Sequence, residues 1–145
     1  ANCVAMKGQL NLPNSVTAIK ESAFSNCNKL SGNLNIPNSV ISIEQSAFSN
    51  CYGFTGPLNI PEKIDVINES SFYNCYNLNK LTLPKSVVEI KDSTFAECYG
   101  FTGGLTILDT VTRILESAFS NCHSLTGNSV IPNSVVITII TIFCF

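Results

Sequence analysis

The sequence predicts a solenoid, a single domain over residues 1–145 in which short parallel β-strands and short helical or 3₁₀ turns recur in about six coils. Three observations predict it. Cysteine falls at positions 3, 27, 51, 75, 98, 122 and 144, with gaps of 24, 24, 24, 23, 24 and 22 and no C-x-x-C pair. Phe recurs in the same beat at 24, 48, 72, 95, 119 and 143, and Pro at 13, 37, 61, 84 and 132, with Leu108 in the vacant slot. A unit this short buries no face of its own, so it must stack on its neighbours.

Each element follows from the consensus N-C-x-x-L-x-G-x-L-x-I-P-x-S-V-x-x-I-x-x-S-A-F-S. The alternation Leu10/Leu12, Leu34/Ile36, Leu58/Ile60, Leu81/Leu83 and Leu105/Ile107 reads as a strand with one face buried. Pro ends it, having no N–H for a ladder. The V-x-x-I step, ending at Ile19, Ile43, Ile67, Ile90 and Ile114 with Thr138 in the last copy, resumes an extended path inward. S-A-F-S-N-C reads as a tight helical or 3₁₀ turn begun by Ser or Asp. Gly and Asn close each loop; one copy, YNLNKLTLP, is a residue short and lacks the Gly found at 8, 32, 56, 103 and 127. Coils about 5 Å apart give a rod about 30 Å long. The units stay in phase from residue 2 to about 134, and residues 135–145 form a diverged apolar final turn.

The segment holding Leu78, Leu81, Leu83, Ser86 and Val87 resembles the leucine-rich repeat pattern L-x-x-L-x-L-x-x-N. With S-V-x-x-I-x-x-S-A-F-x-N-C added, the unit is similar to the leucine-rich repeats of the BspA-like class, so the fold expected is a leucine-rich repeat solenoid. The resemblance implies a right-handed solenoid of parallel strands, placed outside the cell or at its surface and used for adhesion and protein binding.

Composition narrows the chemistry. Ten acids and eight bases give a net charge of −2, and charged residues make up 12% of the chain, about half the usual share. Asn, Ser and Thr fill much of the remainder. Seven Lys and one Arg, scattered among acids, make no footprint for nucleic acid. His123 is the only imidazole, and there is no phosphate-cradling G-x-G-x-x-G or G-x-x-x-x-G-K-[ST]. The expectation is no enzyme, no cofactor and no metal. The apolar stretch of residues 135–145 is too short to span a membrane, which takes about 20 residues.

The columns of the repeat supply the candidate surfaces. The cysteines read as buried free thiols that pack as small hydrophobes. Tyr52, Tyr76, Tyr99 and His123 each follow a cysteine and form an outward strip suited to a protein or glycan ligand, or a ladder stacked on itself. Asn11, Asn35, Asn59, Thr82 and Thr106 take the strand's outward position as an uncharged polar stripe, which reads both as a ladder of side chains hydrogen-bonded to their copies above and below and as the face on which leucine-rich repeats commonly meet ligands. Glu21, Gln45, Glu69, Asp92 and Glu116 read as a solvated edge rather than a cation site.

No signal peptide is recognised, because residue 1 already lies inside a repeat. Neither end carries an evident cap, and the two ends are in phase. The sequence therefore also admits head-to-tail self-association through Val4, Met6 and Leu10 at one end and Ile137, Ile139, Ile140, Ile142 and Phe143 at the other. Electron microscopy at rising concentration tests this: fibres are expected, Ile140→Lys should abolish them, and a monomer at every concentration removes the reading.

Overall fold

The computed structural model describes residues 3–133 and 135–137, together a parallel β-solenoid of about five turns with almost no helix. A 3₁₀ turn at Cys3–Ala5 is the one helical element among them. Ten short strands follow: β1 (Gly8–Gln9), β2 (Ala18–Ile19), β3 (Leu30–Asn33), β4 (Ser42–Ile43), β5 (Phe54–Asn59), β6 (Val66–Ile67), β7 (Leu78–Thr82), β8 (Glu89–Ile90), β9 (Arg113–Ile114) and β10 (Val136–Ile137). Every pairing is parallel. One sheet runs β1-β3-β5-β7; the V-x-x-I strands make a pair, β2-β4, and a second sheet, β10-β9-β8-β6.

The V-x-x-I strands stack residue on residue, with Ile19 opposite Ile43, Ile67 opposite Ile90 and Ile90 opposite Ile114. Ile137, not Thr138, lies opposite Ile114, so the last copy returns to an isoleucine by closing one residue sooner. The other sheet departs from the expected register. Its pairs are Gly8 with Leu30, Gly32 with Phe54 and Gly56 with Leu78, each step falling short of the full period. Gly8, Gly32 and Gly56 stand at φ between 79° and 85°, a left-handed bend that Gly adopts without penalty. This bend displaces the ladder to the N-terminal side of the L-x-I step in the first coils. Only after a bulge between Gly56 and Pro57 does the ladder reach Leu58 with Leu81 and Asn59 with Thr82. The inward residues Leu10, Leu34, Leu58 and Leu105 are nonetheless buried, and Leu81 of the short copy is half-buried.

The S-A-F-S-N-C segment is a chain of turns, not a helical one. Ala23 N–H bonds the Lys20 carbonyl, Ser25 that of Ser22 and Cys27 that of Phe24, at 3.0–3.1 Å. Ser22 and Asn26 have φ of 54° and 61°, and the pair recurs at Ser46/Asn50, Ser70/Asn74, Ser93/Glu97 and Ser117/Asn121. Positive φ at the third residue of a turn is the type II geometry. It frees alternate amides to bond the next coil: Ser22 N–H to Gln45, Phe24 to Ala47 and Asn26 to Ser49, at 2.8–3.0 Å. A helical turn would have kept those amides to itself.

Phenylalanine fills the axis. Phe24, Phe48, Phe72, Phe95 and Phe119 stack nearly parallel with centroids 5.3–5.7 Å apart. Phe54 and Phe101 meet Phe48 and Phe95 edge-on. The cysteine column is buried beside them, but not all of it is free thiol. Cys3 and Cys27 form a disulfide, their Cα atoms 4.8 Å apart, because in-register neighbours on adjacent coils lie within disulfide reach. Cys51, Cys75, Cys98 and Cys122 are free and buried.

Asn50→Gly should cost about 1–2 kcal/mol by removing the side-chain amide bonds that Asn50 makes to Asn26 and Asn74. Asn50→Ala should cost about 1 kcal/mol more, since alanine also opposes the left-handed backbone. Urea denaturation of the two variants separates the contributions, and equal midpoints would refute the backbone part.

Candidate functional site

The Phe column and the turn that follows it fix where the aromatic strip stands. Each Asn-Cys pair ends a turn, and the next residue leaves the core. Gly53 and Gly100 then follow Tyr52 and Tyr99 because the chain presses on the coil before: a Cβ at either would collide with carbonyl oxygens, those of Asn28 and Leu30 for Gly53 and of Tyr76 and Leu78 for Gly100. The rings are thereby brought into line. Tyr52 and Tyr76 stack at 5.1 Å and 7°, Tyr76 and Tyr99 lie 6.4 Å apart and tilted, and His123 stacks on Tyr99 at 5.7 Å and 11°.

Polar partners hold the strip. Asn28 Nδ2 donates to the Tyr52 hydroxyl at 2.8 Å, and the Tyr99 hydroxyl donates to the Glu97 carboxylate. Asn121 Nδ2 donates to the same carboxylate at 2.6 Å. Tyr52 and Tyr76 are half-buried, whereas Tyr99 (41%) and His123 are exposed. The rings cover one another's faces and turn edges outward, so the strip is both a ladder and an exposed surface.

Asn11, Asn35, Asn59, Thr82 and Thr106 are all exposed. No side-chain hydrogen bond joins them among the described residues, so their amides and hydroxyls face solvent. The asparagine ladder lies elsewhere: Asn50 Nδ2 donates to Asn26 Oδ1 at 3.1 Å and Asn74 Nδ2 to Asn50 Oδ1 at 2.9 Å. Its signal was the Asn before Cys27, Cys51 and Cys75, a residue that tolerates positive φ. The acidic edge is mostly exposed, and its main-chain carbonyls at Gln45, Glu69, Asp92 and Glu116 accept the amides of Ser22, Ser46, Ser70 and Ser93. Among the described residues no group of three or more His, Cys, Asp and Glu side chains is placed to hold a metal.

Of the end-contact residues, Met6 is 42% exposed while Leu10 is buried. Ile137 lies in β10, and Val4 in the 3₁₀ turn. Ile139, Ile140, Ile142 and Phe143 fall outside the described residues. No helix among the described residues is long and apolar enough to cross a membrane.

The free thiols are chemically quiet. Each S–H donates to a Phe carbonyl of the preceding coil: Cys51 to Phe24, Cys75 to Phe48, Cys98 to Phe72 and Cys122 to Phe95, at 2.9–3.2 Å. Burial pushes Cys51 and Cys122 up to about 12 and raises Cys75 and Cys98 as well, so none is a nucleophile near neutrality.

The stacked parallel strands, inward Leu/Ile columns and outward polar stripe define a leucine-rich repeat protein. The chain belongs to the BspA type leucine rich repeat region family, whose profile matches residues 1–126 in six copies. It is similar to a leucine rich repeat protein of T. pallidum, 28% identical over 94% of this chain and 62% of that one, with a TM-score of 0.80. A leucine-rich repeat protein of Bacteroides ovatus is 27% identical over 92% of this chain and 39% of that one, at 0.70. A leucine rich cell surface protein of Faecalibacterium prausnitzii shares the fold, at 24% identity and 0.59 over 94% of this chain and 51% of that one. The chain thus spans less than two thirds of each. Among curated proteins there is no match.

A raised thiol pKa stabilises the fold below the unfolded value and ceases to do so as pH climbs through the folded one. For Cys51 and Cys122 that window runs from about 9 to about 12. Denaturation midpoints should fall across it, and Cys122→Ala should fall less steeply than the parent. Parallel curves would show that the thiols take no part.

Proposed function

We propose that the chain is a non-enzymatic binding module of a secreted or cell-surface protein, working in adhesion, with a protein or glycan as its ligand. The observation that carries this reading is the row of four aromatic rings, Tyr52, Tyr76, Tyr99 and His123, held in line by stacking and, at Tyr52 and Tyr99, by hydrogen bonds at the hydroxyl. A pre-ordered aromatic surface loses little side-chain entropy on binding, and stacked edges suit the alternating apolar and hydroxyl faces of a glycan or a protein surface. The uncharged Asn/Thr stripe would supply directional hydrogen bonds without charge selection. The cell-surface description of the F. prausnitzii relative agrees with the placement.

Screening immobilised glycans and surface proteins should return ligands that depend on the strip. Tyr52→Ala with Tyr99→Ala should weaken them by about tenfold or more, the size of effect that truncating a central aromatic anchor has. Circular dichroism and the core should be unaltered, because neither ring belongs to the Phe column. A ligand held equally well by the double variant would remove the strip from the assignment.

A further inference from the structure

The copy that is one residue short also lacks the left-handed Gly, and the next copy carries two glycines, Gly103 and Gly104. The two irregularities meet at one place. β7 pairs backward with β5, and Thr82 accepts the Ile60 N–H at 3.2 Å. Main-chain groups alternate sides along a strand, so Leu81 and Leu83 turn theirs toward the following coil, as Asn79 does. The Asn79 carbonyl takes both the N–H and the hydroxyl of Thr102, at 3.1 and 3.2 Å. Beyond Thr102 the following coil leans away, toward its other neighbour. Leu105 accepts the Val130 N–H and Ile107 donates to the Val130 carbonyl, both at 2.9 Å. Gly104 and Gly127 come so close that a Cβ on either would strike the other coil's backbone. The main-chain groups of Thr106 are left facing β7.

A cleft of about 460 Å³ opens there and continues into a second of about 300 Å³ past Thr82 and Leu83. Among the described residues, the Thr102 bonds to Asn79 are the only hydrogen bonds across it. Leu81, Leu105 and Leu125 form its floor. Lys80 is the one charged residue on its walls, and it makes no ion pair among the described residues.

We propose that this cleft is a slot for an extended segment of a partner protein about as long as β7. The segment pairs through its main chain with Leu81 and Leu83 on one wall and Thr106 on the other, in the manner of strand addition to an open edge. Its alternate apolar side chains rest on the leucine floor, and a carboxylate on its outer face meets Lys80. Such a ligand is chosen by backbone and alternation, independently of the aromatic strip.

Hydrogen exchange on the whole chain gives the first test. The amides of Leu81, Leu83 and Thr106 should exchange freely while that of Ile60 is protected. Protection of those three in the free protein would overturn the slot, as would protection that grows with protein concentration, which would place a second copy there. The probe is a labelled peptide, Thr-Val-Glu-Val-Thr-Val-Thr, with the same peptide N-methylated on alternate amides as control. Binding should slow exchange of the three amides. N-methylation should weaken binding at least tenfold, and Lys80→Glu should reverse the preference from the Glu peptide to its Lys counterpart. Tyr52→Ala with Tyr99→Ala should leave this binding unchanged, which separates the slot from the proposed adhesive strip. No binding at millimolar peptide, or equal binding of the N-methylated form, overturns the proposal.

Discussion

The structure depends on main-chain hydrogen bonding from one coil to the next. Amides such as Phe24 and Asn26 have their partners on the following coil, in Ala47 and Ser49, not within their own turn. That bonding sets neighbouring coils one strand spacing apart and puts like residues over like. Every column must therefore tolerate its own copy at close range. Phenylalanine does so by stacking, tyrosine by stacking at the rim, and asparagine by giving an amide proton to the asparagine before it. Rows of like charge do so badly, which is one physical reason for a chain only 12% charged.

Function inherits the same rule. A surface made from columns is a surface of stripes, so binding groups arrive as rows in place of a convergent pocket. The thiols of Cys75 and Cys98 form such a row inside the stack, each sealed against a Phe carbonyl of the preceding coil. What varies along each row is the part of the surface that can discriminate. Tyr52 and Tyr76 are half-buried, whereas Tyr99 and His123 stand further out.

The periodicity made the columns legible, because a residue recurring once in every coil has one environment, and the buried Phe, Ile and Cys columns were read from that alone. Local geometry was less legible. Ser22 and Asn26 adopt positive φ to free amides for the next coil, a demand made by the stack and absent from any propensity for helix or turn. The shortened register of β1, β3 and β5 likewise needs the bend at Gly8 and Gly32, which the spacing of Leu10 and Leu12 conceals. The Tyr strip was found by spacing, whereas the asparagine ladder was sought in the strand at Asn11 and Asn35 and lies instead in the turn at Asn26, Asn50 and Asn74.

Glu97 takes the slot that asparagine holds in the coils on either side, at φ 63°, and a carboxylate accepts protons without giving one. The relay of amide protons that runs through Asn74, Asn50 and Asn26 is therefore not continued from Glu97. A chain of near-identical coils risks a particular folding error, in which one coil is looped out and the next takes its place with almost every contact satisfied. Glu97 and the shortened coil before it make the copies distinguishable: a slip by one unit would set a carboxylate beneath the wrong amide and a short loop beneath a long one. The irregular coil thus works as an index mark, giving the repeat a unique alignment with itself.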